Sequence, residues 1–128
     1  MEAKNSIEIK QLNFGFNSKT QILKNVHITV PKGSIYGFLG ANGAGKSTTM
    51  RVILGIYPDD HQSVNIFGRP KQHIFPQALH RIGSLIDYPA YYDHLTGYEN
   101  LQIACKIYNT PIAKIDETLE NVGLLKAR

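Results

Sequence analysis

The sequence predicts an α/β fold that opens with an antiparallel β layer and closes in helices. Three observations carry this expectation. Apolar and polar residues alternate near the start of the chain, a glycine-rich loop lies between an uncharged apolar run and a helix-like pattern, and the segment after Thr96 shows helical spacing alone.

Taken in order, "SIEIKQL" alternates as a half-buried strand does, and "QILKNVHITV" reads as a second. "PKGS" (31–34) turns the chain with Pro and Gly. "IYGFLG" (35–40) is apolar and uncharged, the pattern of a strand buried on both faces. The glycine loop follows, then "KSTTMRVILGI" as a helix ended by "YPDD". "SVNIF" is a strand closed by "GRP", and "PQALHRI" a short helix leading into "IGSLI", a second buried-looking strand that ends at Asp87. An aromatic loop, "DYPAYYDH", precedes Thr96 and Glu99, whose spacing is that of a capping box at a helix start. Pro111 interrupts that helix. Ile112, Ile115, Leu119 and Val122 mark one face of a last helix that stops at Gly123.

Composition bounds the function classes. The 128 residues, 42% hydrophobic and 19% charged, suit one globular domain, without a run long enough to span a bilayer. "MEAKNSIEIK" lacks the apolar core of a secretory signal, and the single Cys105 suits a reducing compartment, so a cytoplasmic location is expected. The net charge of +4 is spread without basic blocks, so no nucleic-acid partner is expected.

Gly40, Gly45, Lys46 and Ser47 fill the pattern G-x-x-x-x-G-K-[ST]. Its glycines let backbone N–H groups approach phosphate oxygens, and the following helix turns its positive end toward the same anion. Lys46 supplies a point charge for the β and γ phosphates, and Ser47 offers a hydroxyl to Mg²⁺. Chance would produce this match in well under about 1% of chains of this length at ordinary residue frequencies. Phosphoryl transfer further needs a carboxylate for the metal shell, and "GSLID" is the apolar run that ends in one, which makes Asp87 the candidate. The alternative is a solvated acid at a strand end.

Beyond that loop, the whole chain resembles the N-terminal part of an ATP-binding-cassette (ABC) transporter ATPase. "IEIKQLNFGF", "ILKNVHITVPKGSIYGFLGANGAGKSTTMRVILGI", "SVNIFGRP" and "RIGSLIDYPAYYDHLTGYENL" carry the likeness. The resemblance implies a P-loop NTPase fold of the ABC type, incomplete within 1–128: an antiparallel β layer, part of the core sheet and the start of the helical subdomain. It also implies that Asn42, Gly43, Ala44, Gly45, Lys46, Ser47 and Thr48 wrap the phosphates of ATP, with Ser47 on Mg²⁺. Phe16, four residues after Leu12, takes the place of the adenine-stacking aromatic. Phe14 competes for that role, and packing of both rings in the strand layer is the plain alternative. Asp87 stands where the family usually has a glutamine. An acid there resembles the exporters that protect bacteria from lantibiotics and bacitracin-like peptides, although those carry the longer glutamate. Tyr88, Tyr91 and Tyr92 occupy the region that docks the membrane partner. The implied partners are a second ABC ATPase domain and transmembrane permease subunits, with the chain peripheral on the inner face of the membrane.

The family's signature "LSGGQ"-like segment, its apolar strand ending in Asp-Glu and its switch histidine are not in the 128 residues. The expectation is therefore a chain that binds ATP without hydrolysing it efficiently. Exposed apolar surface, marginal stability or self-association should accompany a core sheet left short of strands. A compact P-loop kinase, with "RPKQHIFPQALHR" as a faint lid, and a non-catalytic nucleotide-binding module are the competing readings.

Overall fold

The computed structural model describes residues 4–17, 20–86 and 91–128. Its contacts divide the chain into two units, 1–86 and 87–128.

The first unit is built on two long strands, β1 (Asn5–Asn17) and β2 (Thr20–Pro31), paired antiparallel. Ile9 and Leu12 lie three residues apart, which in a regular strand would send them to opposite faces. A bulge solves this. Ile9 pairs with Ile28 and Leu12 with Val26, so β1 carries one extra residue there, with Gln11 in the left-handed region at φ 55°. β2 returns the irregularity between Leu23 and Val26, where Asn25 takes φ 49°. The Asn13 side chain spans both bulges, donating to the Gln11 carbonyl (2.8 Å) and accepting from the Asn25 amide (2.9 Å). The result is one continuous inward face of Ile9, Leu12, Phe14, Leu23 and Ile28.

Two short strands complete the described sheet, β3 (Val64–Ile66) and β4 (Arg69–Pro70), in the order β2-β1-β3-β4. Phe67 and Gly68, at φ 52° and 76°, join β3 to β4 as a two-residue hairpin turn. Gly68 takes such angles freely, whereas Phe67 holds them at a cost of roughly 1–2 kcal/mol. Helix α1 (Lys46–Ile53) lays Val52, fully buried with Val64, against the sheet. Each such aliphatic side chain contributes about 1.5–3 kcal/mol by leaving water. Helix α1 ends at Ile53, before the "YPDD" expected to stop it, because Gly55 at φ 72° already turns the chain.

The two apolar runs expected to be buried strands are not strands. Residues 34–41 and 82–86 have irregular backbone, and Ile35 (104%), Leu39 (91%) and Leu85 (72%) are largely exposed. A strand buried on both faces needs neighbours that complete its hydrogen bonds and cover it. None of the described strands pairs with either segment. "PQALHRI" does turn helically, as a tight 3₁₀ segment over Gln77–Arg81.

The second unit holds α2 (Gly97–Tyr108) and α3 (Lys114–Asn121). The Thr96–Glu99 capping box is present, with the Glu99 amide donating to Thr96 Oγ1 (3.2 Å) and the Thr96 amide donating to Glu99 Oε2 (2.8 Å). Asn109, left-handed at φ 50°, ends α2 two residues before Pro111. Ile115 and Leu119 are the buried pair on α3. Ile112 and Val122, expected on the same face, lie beyond its ends and are exposed.

Hydrogen bonds from Thr96, first its amide and then its hydroxyl, hold the Glu99 carboxyl below the usual carboxylate range. Because the folded group is the stronger acid, its contribution to α2 is complete above the ordinary carboxylate pKa and is lost as pH falls through the depressed folded value. Protection of the amides at the start of α2, their exchange relative to the intrinsic rate at each pH, is therefore expected to fall on acidification, and Glu99→Gln to abolish that dependence. Protection factors indifferent to pH in the parent chain would remove the box as the cause.

Candidate functional site

The loop from Gly40 to Thr48 is seated on β2 by Gly45. A Cβ at Gly45 would lie 2.5 Å from Leu23 Cδ2, and Leu23 is itself buried, so only glycine lets the loop come so close. Gly45 is also the residue before α1, at φ 90°, and Gly43 stands at φ 81° with open space around it. These two left-handed residues fold the backbone round so that α1 begins at Lys46. The first turn is held by Thr49, whose amide (2.8 Å) and buried Oγ1 (2.9 Å) both donate to the Gly45 carbonyl. That fixed turn presents the positive end of α1 to an anion in the loop.

Lys46 Nζ donates to the Gly40 (2.6 Å) and Ala41 (2.8 Å) carbonyls, so the ammonium arches over the loop. Asn42, Gly43 and Ala44 are exposed along it, Thr48 is half-buried, and Ser47 is exposed in the first turn of α1. Among the described residues there is no group of three or more His, Cys, Asp or Glu side chains that would hold a metal alone. The loop nevertheless fits Mg²⁺ carried in by a polyphosphate, since that ion keeps its waters and takes one or two protein oxygens, here Ser47 Oγ. Asp87 and Tyr88 lie outside the described residues.

The structure separates Phe14 from Phe16. Phe14 is buried in the core and stacked on Tyr57, with ring centroids 5.1 Å apart and planes at 5°. Phe16 is 62% exposed and meets both rings edge-on, at 5.3 and 5.4 Å. It is thus the ring with a free face, braced from behind. Tyr57 was not among the residues the sequence singled out, because it follows α1, far along the chain from the two phenylalanines it supports. Lys71 was missed for a like reason. It is a buried lysine whose Nζ donates to the Val52 carbonyl near the end of α1. Burial pushes its pKa down, against the opposing pull of Asp59. In the second unit Tyr91 and Tyr92 are exposed. Asn100 binds the Tyr92 amide (2.8 Å) and carbonyl (3.1 Å), fixing that loop to α2.

The family model "ABC transporter" matches residues 23–128. The bacitracin transport ATP-binding protein of Enterococcus faecalis is 39% identical over 112 residues, covering 86% of the chain and 36% of that protein. The protein of the same name from Bacillus licheniformis is 45% identical over 101 residues, covering 78% and 33%. The chain thus spans about a third of the length of these relatives. A solved structure, described as an ATP-binding subunit of an ABC transporter, superimposes with a TM-score of 0.72 at 28% identity, over 94% of the chain and 51% of that structure.

Proposed function

Since the chain belongs to the ABC transporter family, we propose that it binds Mg-ATP on the Gly40–Thr48 loop as part of an ATP-binding subunit whose work is peptide-antibiotic export. The observation that carries the reading is the loop itself: glycines at φ 81° and 90°, an ammonium arched over it and the start of α1 behind. In this reading the loop amides and Lys46 grip the phosphates, Ser47 supplies an oxygen to the metal, and Asp87 adds a carboxylate to the metal shell. Phe16 offers its free face to the adenine. The chain alone binds ATP and turns it over poorly. Export of bacitracin-like peptides is suggested by the named activity of the two relatives, and the acid at position 87 extends the reading to lantibiotics. A second ATP-binding domain and membrane permease subunits are the partners this requires, on the inner face of the cell membrane. No helix among the described residues is long and apolar enough to cross that membrane.

Titrating the chain with Mg-ATP and with pyrophosphate tests the site. Phe16→Ala is expected to weaken ATP about fivefold, the scale of one lost base–aromatic stack, and to leave pyrophosphate unchanged. Equal losses for both ligands, or none, would exclude Phe16 from the adenine site. The export reading is tested by producing the chain within its full-length protein, together with the permease, in a bacitracin-sensitive host. An unaltered inhibitory concentration for both bacitracin and a lantibiotic would sink it.

A further inference from the structure

We infer that the pocket between the β3–β4 turn and the 3₁₀ segment Gln77–Arg81 is a second anion site, separate from the Gly40–Thr48 loop, that takes a phosphate-class oxyanion. Residues 61–86 contain no aspartate or glutamate, yet they carry Arg69, Lys71 and Arg81 with three histidines. The fold gathers part of that charge around one cavity of about 390 Å³, lined by the apolar Phe67, Ile74 and Ala78 and the basic Arg69, His73 and Arg81. None of its lining residues belongs to the glycine loop.

The arginines are placed for recognition rather than for internal pairing. Arg81 lies over the Phe67 ring, its guanidinium carbon 4.3 Å from the centroid. Such stacking holds the plane while leaving the N–H edges to fork onto an oxyanion. Among the described residues no carboxylate lies within ion-pair distance of Arg69 or Arg81. The platform is held against local preference, since Phe67 keeps φ 52° in a turn where asparagine or glycine would sit more easily. Lys71 is excluded from the ligand set because its ammonium is committed to the Val52 carbonyl. The same oxyanion chemistry is offered by a soluble phosphate ester and by a phospholipid headgroup.

Inorganic phosphate titrated into the chain, followed by the NMR signals of the arginine Nε–H groups, separates this site from the loop, whose Gly43 and Gly45 amides report independently. Saturable shifts at Arg69 and Arg81 are expected, weakened about tenfold by Arg81→Gln, the scale of one charge-assisted bond. Arg81→Lys, which keeps the charge and loses the fork, should fall between, and Arg69→Gln serves if Arg81→Gln does not fold. Co-sedimentation with phosphatidic acid vesicles, against phosphatidylcholine alone, identifies the source. Vesicle binding lost in Arg81→Gln means a headgroup, and phosphate binding without vesicle binding means a soluble ester. Arginine signals that do not saturate with phosphate, or that saturate equally in the variants, overturn the site.

Discussion

Lys46→Ala is expected to weaken Mg-ATP binding by roughly ten- to a hundredfold, the value of one or two charge-assisted hydrogen bonds to phosphate. Its effect on folding should be far smaller. The Lys46 ammonium donates to two carbonyls of the loop, at Gly40 and Ala41, and both belong to exposed residues that water can serve instead. Their loss should cost less than about 1 kcal/mol. Lys46→Arg should not restore affinity, because a planar fork cannot take the place of a compact ammonium arched over the loop. Isothermal titration and thermal melting of the same samples check both halves. A melting temperature that fell in step with affinity would assign Lys46 to shaping the loop, and binding would have to be sought elsewhere.

The second large effect is expected at Gly45, and it shows best as a series. Gly45→Ala meets two penalties: a φ of 90° that L-residues avoid, roughly 1–2 kcal/mol, and a Cβ 2.5 Å from the buried Leu23 methyl, about 1–3 kcal/mol of overpacking. Gly43→Ala meets only the first, since a Cβ there has nothing within 4 Å. Gly40→Ala meets neither in full, its Cβ falling 3.4 Å from that of Ala44. Denaturant unfolding should rank the three in that order of loss. Leu23→Ala should cost less in the Gly45→Ala background than in the parent chain, the difference reporting the relieved overpacking. A Gly45→Ala chain as stable as the parent would mean that the loop does not rest on β2.

Much of this site is legible in the sequence, because the loop's chemistry is local. Gly40, Gly45, Lys46 and Ser47 announce themselves by spacing, and the Thr96–Glu99 box does the same for α2. What spacing does not convey is contact between distant segments. Leu23 under Gly45, Tyr57 behind Phe14 and Phe16, and Lys71 against the end of α1 each join residues with no periodic relation. The two runs read as buried strands show the converse error. "IYGFLG" and "IGSLI" have the composition of buried strands, but composition states only a preference for burial, and pairing depends on a neighbour. The bulges of β1 and β2 fall between these cases. The strict alternation read in "SIEIKQL" fails at the three-residue step from Ile9 to Leu12, and the structure takes up that step with a bulge and Gln11 in the left-handed region.

The pairing of β1 with β2 bears on the order in which the chain comes together as it is synthesised. Every contact in that hairpin joins residues between 5 and 31, so its closure needs nothing made later, and local pairings of this kind form early. The surface that receives Gly45 is Leu23, which lies within the hairpin. The residues that seat the Gly40–Thr48 loop are thus all synthesised ahead of it, while the apolar face of the hairpin is covered only once α1 and β3 follow.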